Sequence, residues 1–224
     1  MLASAAKSGT VRRFIYTSSN AAIYHPGKPK PSWHGEGYFT ENDWGDDHDW
    51  PDKHGTPTMI RENIPKIRDV AYCFSKCDVE RYLYTEGPKH GIECMSVQPC
   101  HVIGPLLCAA HQMPHMWQTK LGDMMMGLPL PSSHYWTITD VRDVAMAHVL
   151  AAECAENSNG SRYLLVANGD AGMMKVSVLQ DTLRKLYPGY GIGGEYSPKE
   201  YKNHQFSILQ GGPVIEELGA CAPT

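Results

Sequence analysis

Two short apolar runs, VRRFIYTSS at 11–19 and IECMSVQP at 92–99, flank a segment of helical character from Asp69 to about His90. Strand, helix and strand in that order constrain the fold more than anything else in the chain. A helical crossover returns the second strand parallel to the first. Within the helix, Val70, Cys73, Phe74, Cys77 and Leu83 fall on one stripe at helical spacing, which marks the buried face. Gly91 stands where a helix C-terminus takes a glycine. The same reading continues downstream. It predicts a mostly helical stretch over about 115–126, a brief strand YWTITD, an amphipathic helix over 141–156 and a strand RYLLVAN at 162–168. A further helix follows over 177–187, with Ser177 as its N-cap, and a last helical turn at IEELG. Residues 24–58 differ: they are rich in Pro, Gly, His and Asp, hold Trp33, Trp44 and Trp50, and read as a long loop. Loops of that length in compact domains tend to be functional or mobile.

Composition bounds the class. The chain has 224 residues, 42% hydrophobic and 20% charged, which is ordinary for a globular protein. A net charge of -4 gives no argument for nucleic acid or an anionic membrane as partner. No apolar run is long enough to span a bilayer, and MLASAAKSGT is too short and too weakly apolar for a signal peptide. The seven cysteines are scattered and form no CxxC, so a reduced, cytoplasmic setting is expected.

The helix carries one candidate chemical device. In VAYCFSK, Tyr72 stands four residues before Lys76, so the two side chains share a helix face. An isolated tyrosine hydroxyl holds its proton to about pH 10, and a neighbouring ammonium favours the phenolate. Such a pair can donate or accept a proton as a general acid or base. The spacing alone is as readily a tyrosine and a lysine on a solvated helix. Its neighbours add weight: Ser18 and Ser19 end the first strand, where open α/β sheets place their ligands.

VRRFIYTSS, YCFSK, QPCHVIGP, DVRDVAMAH and NGSRYLLVAN, in that order, resemble the extended short-chain dehydrogenase/reductases. The resemblance is nearest to the dihydroflavonol-reductase-like and cinnamoyl-CoA-reductase-like branch. It implies an α/β fold with a truncated Rossmann-like parallel sheet, built from the family's later strands. Residues 1–105 would form the C-terminal half of the core with the Ser/Tyr/Lys set. Residues 106–224 would form mainly a small α/β substrate-binding lobe, with strand and helix elements returning to the core. The resemblance also implies the roles. Ser19 would hydrogen-bond a substrate carbonyl, Tyr72 would donate the proton, and Lys76 would favour the phenolate and bind ribose hydroxyls. Thr17, Ser18, Tyr72, Lys76, Pro99, Cys100, His101 and Val102 would line the nicotinamide side of NADP(H) or NAD(H). The implied reaction is reduction of an aldehyde or ketone to an alcohol. A 3β-hydroxysteroid dehydrogenase is an alternative. So is a nucleotide-sugar epimerase or dehydratase, although QPCHVIGP lacks the Arg and Tyr of the sugar-nucleotide motif. An alternative of another class is a non-catalytic fragment or pseudoenzyme that binds a partner, or oligomerises or aggregates, through an exposed sheet edge.

One part of the family pattern is not in the sequence. No glycine-rich GxxGxxG turn precedes residue 11, and that turn cradles the cofactor pyrophosphate. GYGIGG at 189–194 fits a glycine pattern but follows a helix and Pro188, whereas the motif needs a strand before it. We therefore expect the 224-residue chain to bind NADPH weakly or not at all; a tight calorimetric isotherm would overturn that expectation. No metal site is expected. Cys108, His111 and His115 lack a fourth ligand. GDDHDW at 45–50 lacks the alternating ligands of a calcium loop. Met116, Met124, Met125 and Met126 suit either an apolar substrate wall or plain core packing.

Overall fold

The computed structural model describes residues 1–23, 38–46, 68–105, 117–127, 135–155, 158–167, 174–192 and 208–209. Several sequence features lie outside them: Trp33 and Trp50, the Cys108, His111 and His115 set, Met116, most of GDDHDW, and IEELG.

The strand–helix–strand unit is present. Helix α1 (Leu2–Ser8) leads into β1 (Arg13–Thr17), and a 3-10 turn (Asn20–Ala22) follows. After β2 (Tyr38–Phe39) comes the long helix α2 (Arg68–Glu86). A 3-10 turn (Gly87–His90) ends at Gly91, whose φ of 70° places it in the left-handed region that glycine enters without strain. Strand β3 (Glu93–Pro99) then pairs with β1 in parallel register, Arg13 opposite Glu93 through Thr17 opposite Val97.

QPCHVIGP remains extended: β3 runs to Pro99, and β4 (His101–Ile103) follows. Helix α3 (Trp117–Met125) comes next. The YWTITD strand divides into β5 (Tyr135–Trp136) and β6 (Ile138–Asp140), which pair in different sheets. Helix α4 (Val141–Glu153) is capped by the Asp140 carboxylate, which accepts from the Arg142 N–H at 2.8 Å. This satisfies one of the free donors at a helix start. Strand β7 (Arg162–Leu165) pairs parallel to β3 and completes the order β1-β3-β7. β8 (Met174–Lys175), α5 (Val176–Leu186) and β9 (Ile208–Leu209) follow. Helix α5 starts at Val176, so Ser177 lies inside the helix and is not its N-cap. The buried Val176 packs with Met124, Leu179, Leu183 and Ile192, and that apolar contact carries the helix start past the serine.

Alternation along the strands gives the sheet two different faces. On one, Ile15, Val97, Tyr163 and Leu165 pack against Val144, Ala147, Leu150 and Ala151 of α4. On the other, Phe14, Tyr16 and Cys94 pack with Leu83 and Tyr84 of α2. Cys73, Phe74, Cys77 and Leu83 of the predicted stripe are buried. Gly45 passes so close to this helix that a Cβ there would lie 2.7 Å from the Cys73 sulfur and 2.7 Å from the Ala21 carbonyl oxygen. Only glycine fits that approach. Cys73, Cys77, Cys94 and Cys100 are buried free thiols. No helix among the described residues is long and apolar enough to cross a membrane.

Candidate active site

The residues singled out in the sequence gather at the carboxyl edge of the parallel sheet. Thr17 ends β1 and lies opposite Val97, two residues before the end of β3 at Pro99. Tyr72 and Lys76 reach this edge from the first turns of α2. Tyr72 is 54% exposed. The Lys76 Nζ donates to the Thr17 carbonyl oxygen at 3.1 Å. It sits 5.5 Å from the centre of the Tyr72 ring and 4.9 Å from that of Tyr16, within range of a cation–π attraction. The ammonium is thus held between two phenol rings and a strand-end carbonyl.

Lys76 loses its proton below the ordinary lysine range. Burial is the larger cause, and the charge of Glu80, one turn further along α2, opposes it. Burial raises the Tyr16 hydroxyl, with smaller contributions from Glu80 and Tyr72. The direction for Lys76 has a measurable consequence, because only the unprotonated amine acylates. In competitive acylation across a pH series, Lys76 should reach half-maximal reactivity at a lower pH than a free lysine. Equal or higher pH would contradict the burial of this amine.

The three serial hydroxyls at the end of β1 are distinct. The Thr17 hydroxyl points to the α4 side and bonds His148 Nε2 at 2.7 Å. His148 Nδ1 lies 2.7 Å from the Val144 carbonyl oxygen; with its proton on Nδ1, His148 receives the Thr17 hydroxyl proton at Nε2. Ser18 is buried, and its Oγ has no hydrogen-bond partner among the described residues. Ser19 caps the 3-10 turn: its Oγ accepts from the Ala21 N–H at 3.2 Å and donates to Asn20 Oδ1 at 3.2 Å. Among the described residues no hydrogen bond joins Ser19 to Tyr72 or Lys76. What joins them is packing, since Ala22 of the turn is buried with Cys73, Phe74 and Cys77 of α2.

The strand-end residues from β3 into β4 divide in the same way. The Cys100 side chain is buried with Ile23, Phe39 and Leu164, and burial pushes its thiol up to about 12. Its N–H donates to the Leu165 carbonyl at 3.2 Å, and the His101 N–H donates to that of Thr137 at 2.8 Å. The Cys100 side chain therefore belongs to the core, not to a ligand surface. His101, Val102 and Pro99 stay at the sheet edge, with His101 Nδ1 3.1 Å from the Thr137 hydroxyl.

Sequence reasoning missed the polar seam beneath α2. Glu80 is fully buried. Its carboxylate accepts from Arg162 Nε at 2.7 Å and from Gln98 Nε2 at 3.1 Å. Tyr84 bonds the Ser96 hydroxyl and lies 3.5 Å from Glu80. Tyr72, Lys76, Glu80 and Tyr84 recur at four-residue spacing and form a polar row down one face of the helix. That periodicity was the available signal.

No family model matches the chain. An uncharacterised oxidoreductase of Schizosaccharomyces pombe is 29% identical over 187 residues, which are 80% of this chain and 49% of the relative. Cinnamoyl-CoA reductase 1 of Petunia hybrida is 27% identical over 190 residues, 84% of this chain and 48% of the relative. At this low identity the chain is similar to cinnamoyl-CoA-reductase-like members of the extended short-chain dehydrogenase/reductases. It spans about half the length of these curated relatives. Among solved structures, yeast methylglyoxal/isovaleraldehyde reductase Gre2 in complex with NADPH superposes with a TM-score of 0.64 at 22% identity. The match covers 94% of this chain and 59% of that one. The chain therefore has the α/β fold, with parallel pairing, that its strand–helix–strand unit predicts.

Proposed function

We propose that the chain carries the proton-transfer half of an NAD(P)(H)-dependent carbonyl reductase, with Tyr72 as proton donor. One observation supports this most: an exposed tyrosine and a partly buried lysine share a helix face at the carboxyl edge of a parallel sheet, with the lysine tethered to the strand-end carbonyl of Thr17. Open α/β sheets bind their ligands at that edge. The two named relatives, an oxidoreductase and a cinnamoyl-CoA reductase, support the same reaction class.

The side chains fit the nicotinamide-ribose end of such a cofactor. Among the described residues Lys76 spends one of its three N–H donors on Thr17, which leaves two for hydroxyls. The cofactor supplies the hydride when bound. Tyr72 gives its proton to the substrate oxygen as negative charge develops there. Lys76 stabilises the phenolate left behind. Ser19 would bind the same oxygen by exchanging its donor bond to Asn20 for one to the substrate. The substrate is a small aldehyde or ketone.

The test is label transfer. The chain is incubated with a panel of aldehydes and ketones and saturating NADPH deuterated at C4, and the alcohols are examined by mass spectrometry. Stereospecific deuterium incorporation supports the reading. Unchanged carbonyls across the panel, with the protein folded and at an NADPH concentration shown by calorimetry to be bound, count against it.

A further inference from the structure

The strongest unexplained arrangement is the surroundings of Arg162, at the start of β7. Its side chain is only 6% exposed. Nε donates to Glu80 Oε2 at 2.7 Å, Nη1 to the carbonyls of Glu41 and Asp43 at 2.6 Å each, and Nη2 to the carbonyl of Ala22 at 3.1 Å. The guanidinium also lies 4.0 Å from the centre of the Trp44 ring, whose surroundings include Arg81 at 4.3 Å. Ala22 is the last residue of the 3-10 turn that Ser19 caps. Glu80 lies one turn beyond Lys76 on α2.

We infer that Arg162 is a positioning residue that sets the Ser19 turn in place relative to the helix carrying Tyr72 and Lys76. The role assigned to those side chains rests on the function proposed above; the positioning does not. A planar fork is needed because the acceptors diverge: a carboxylate from the helix, two carbonyls from segment 38–46 and one from the turn. The Ala22 carbonyl shows how closely these parts meet. It also accepts from the Gly45 N–H at 2.9 Å and from the Cys77 thiol at 3.4 Å. Turn, helix, segment and strand thus converge on one oxygen, and Arg162 is the charged member of the set. A lysine would keep the charge but could not span the turn, the segment and the helix together.

The test compares Arg162→Lys with the control Arg81→Lys, which alters the other guanidinium near Trp44 but not the bond to Ala22. Hydrogen exchange is read at residues 20–23 by mass spectrometry, together with kcat and KM for a carbonyl substrate well below the melting temperature. For Arg162→Lys we expect exchange in the turn to accelerate at least tenfold while β3 stays protected. We expect kcat to fall at least tenfold, with a smaller change in cofactor KM. Arg81→Lys should leave the turn's exchange unchanged. A lowered melting temperature with unchanged turn exchange and unchanged kcat would overturn the inference and leave Arg162 as ordinary core. If the wild type reduces no carbonyl while NADPH is bound, the functional reading fails, and the exchange data alone decide the positioning. If Arg162→Lys does not fold, the neutral pair Glu80→Gln with Arg162→Gln supplies the background, and the same loosening of residues 20–23 is expected in it.

Discussion

Replacing Tyr72 by Phe should lower carbonyl turnover by about 10²–10⁴-fold, the usual contribution of a positioned general acid, while the protein stays folded. The variant is informative because it removes one oxygen and little else. The Tyr72 ring is 54% exposed. Phenylalanine therefore buries nothing new and leaves no cavity, and surface changes of this kind usually move stability by about 0.5 kcal/mol or less. The ring that sits 5.5 Å from Lys76 Nζ is kept, so the lysine stays on the Thr17 carbonyl. The backbone contact through Tyr72, whose carbonyl accepts from the Ser75 hydroxyl at 2.7 Å, is unchanged as well. Loss of kcat at unchanged circular dichroism and melting temperature would assign the proton to this hydroxyl. Activity retained within a few-fold would remove Tyr72 from the chemistry. Lys76→Met should behave differently. It removes the tether to Thr17 and the ammonium between two rings, so cofactor KM should rise as kcat falls.

The sequence made the backbone of this picture visible. The short apolar runs in RFIYT and ECMSVQP mark the strands, and the stripe Cys73, Phe74, Cys77 and Leu83, at helical spacing, reports the buried face of the helix. Tyr72 and Lys76 were legible because four residues is a local distance. Long-range polar pairing was not legible. Glu80 follows the helical stripe, and a charged residue there reads as solvent-facing; its partner Arg162 is 82 residues away, and nothing local announces the match. The resemblance implied a nicotinamide-side contact for the backbone of residues 99–102, and it said nothing of where the Cys100 side chain goes. The direction of its side chain depends on how β4 turns to meet β6, and Ile23, Phe39 and Leu164 close over the thiol. Ser177 failed as a cap for a similar reason, since the apolar contacts of Val176 outweigh a local preference.

That hidden pair predicts the largest loss of stability. Glu80→Ala should destabilise the protein by about 3–5 kcal/mol, because removing one partner of a buried ion pair leaves the other charge without compensation. Arg162 would keep its three carbonyl acceptors but lose the carboxylate that balances its charge, and Gln98 Nε2 would lose one of its two acceptors, keeping the Ser96 hydroxyl. Glu80→Met with Arg162→Met should be less damaging than the sum of the single changes. The charges leave together, and apolar replacement of a buried pair is often close to neutral. Here the recovery should be partial, since the carbonyls of Ala22, Glu41 and Asp43 would lose their guanidinium donor, and an unpaired buried polar group costs about 1–3 kcal/mol. Urea denaturation of the two single variants and the double variant completes the cycle, with an expected coupling of about 0.5–3 kcal/mol. Strict additivity would mean that Glu80 and Arg162 act separately. A mild Glu80→Ala would mean that the carboxylate is dispensable and that the polar seam beneath α2 is held by Gln98, Ser96 and Tyr84 alone.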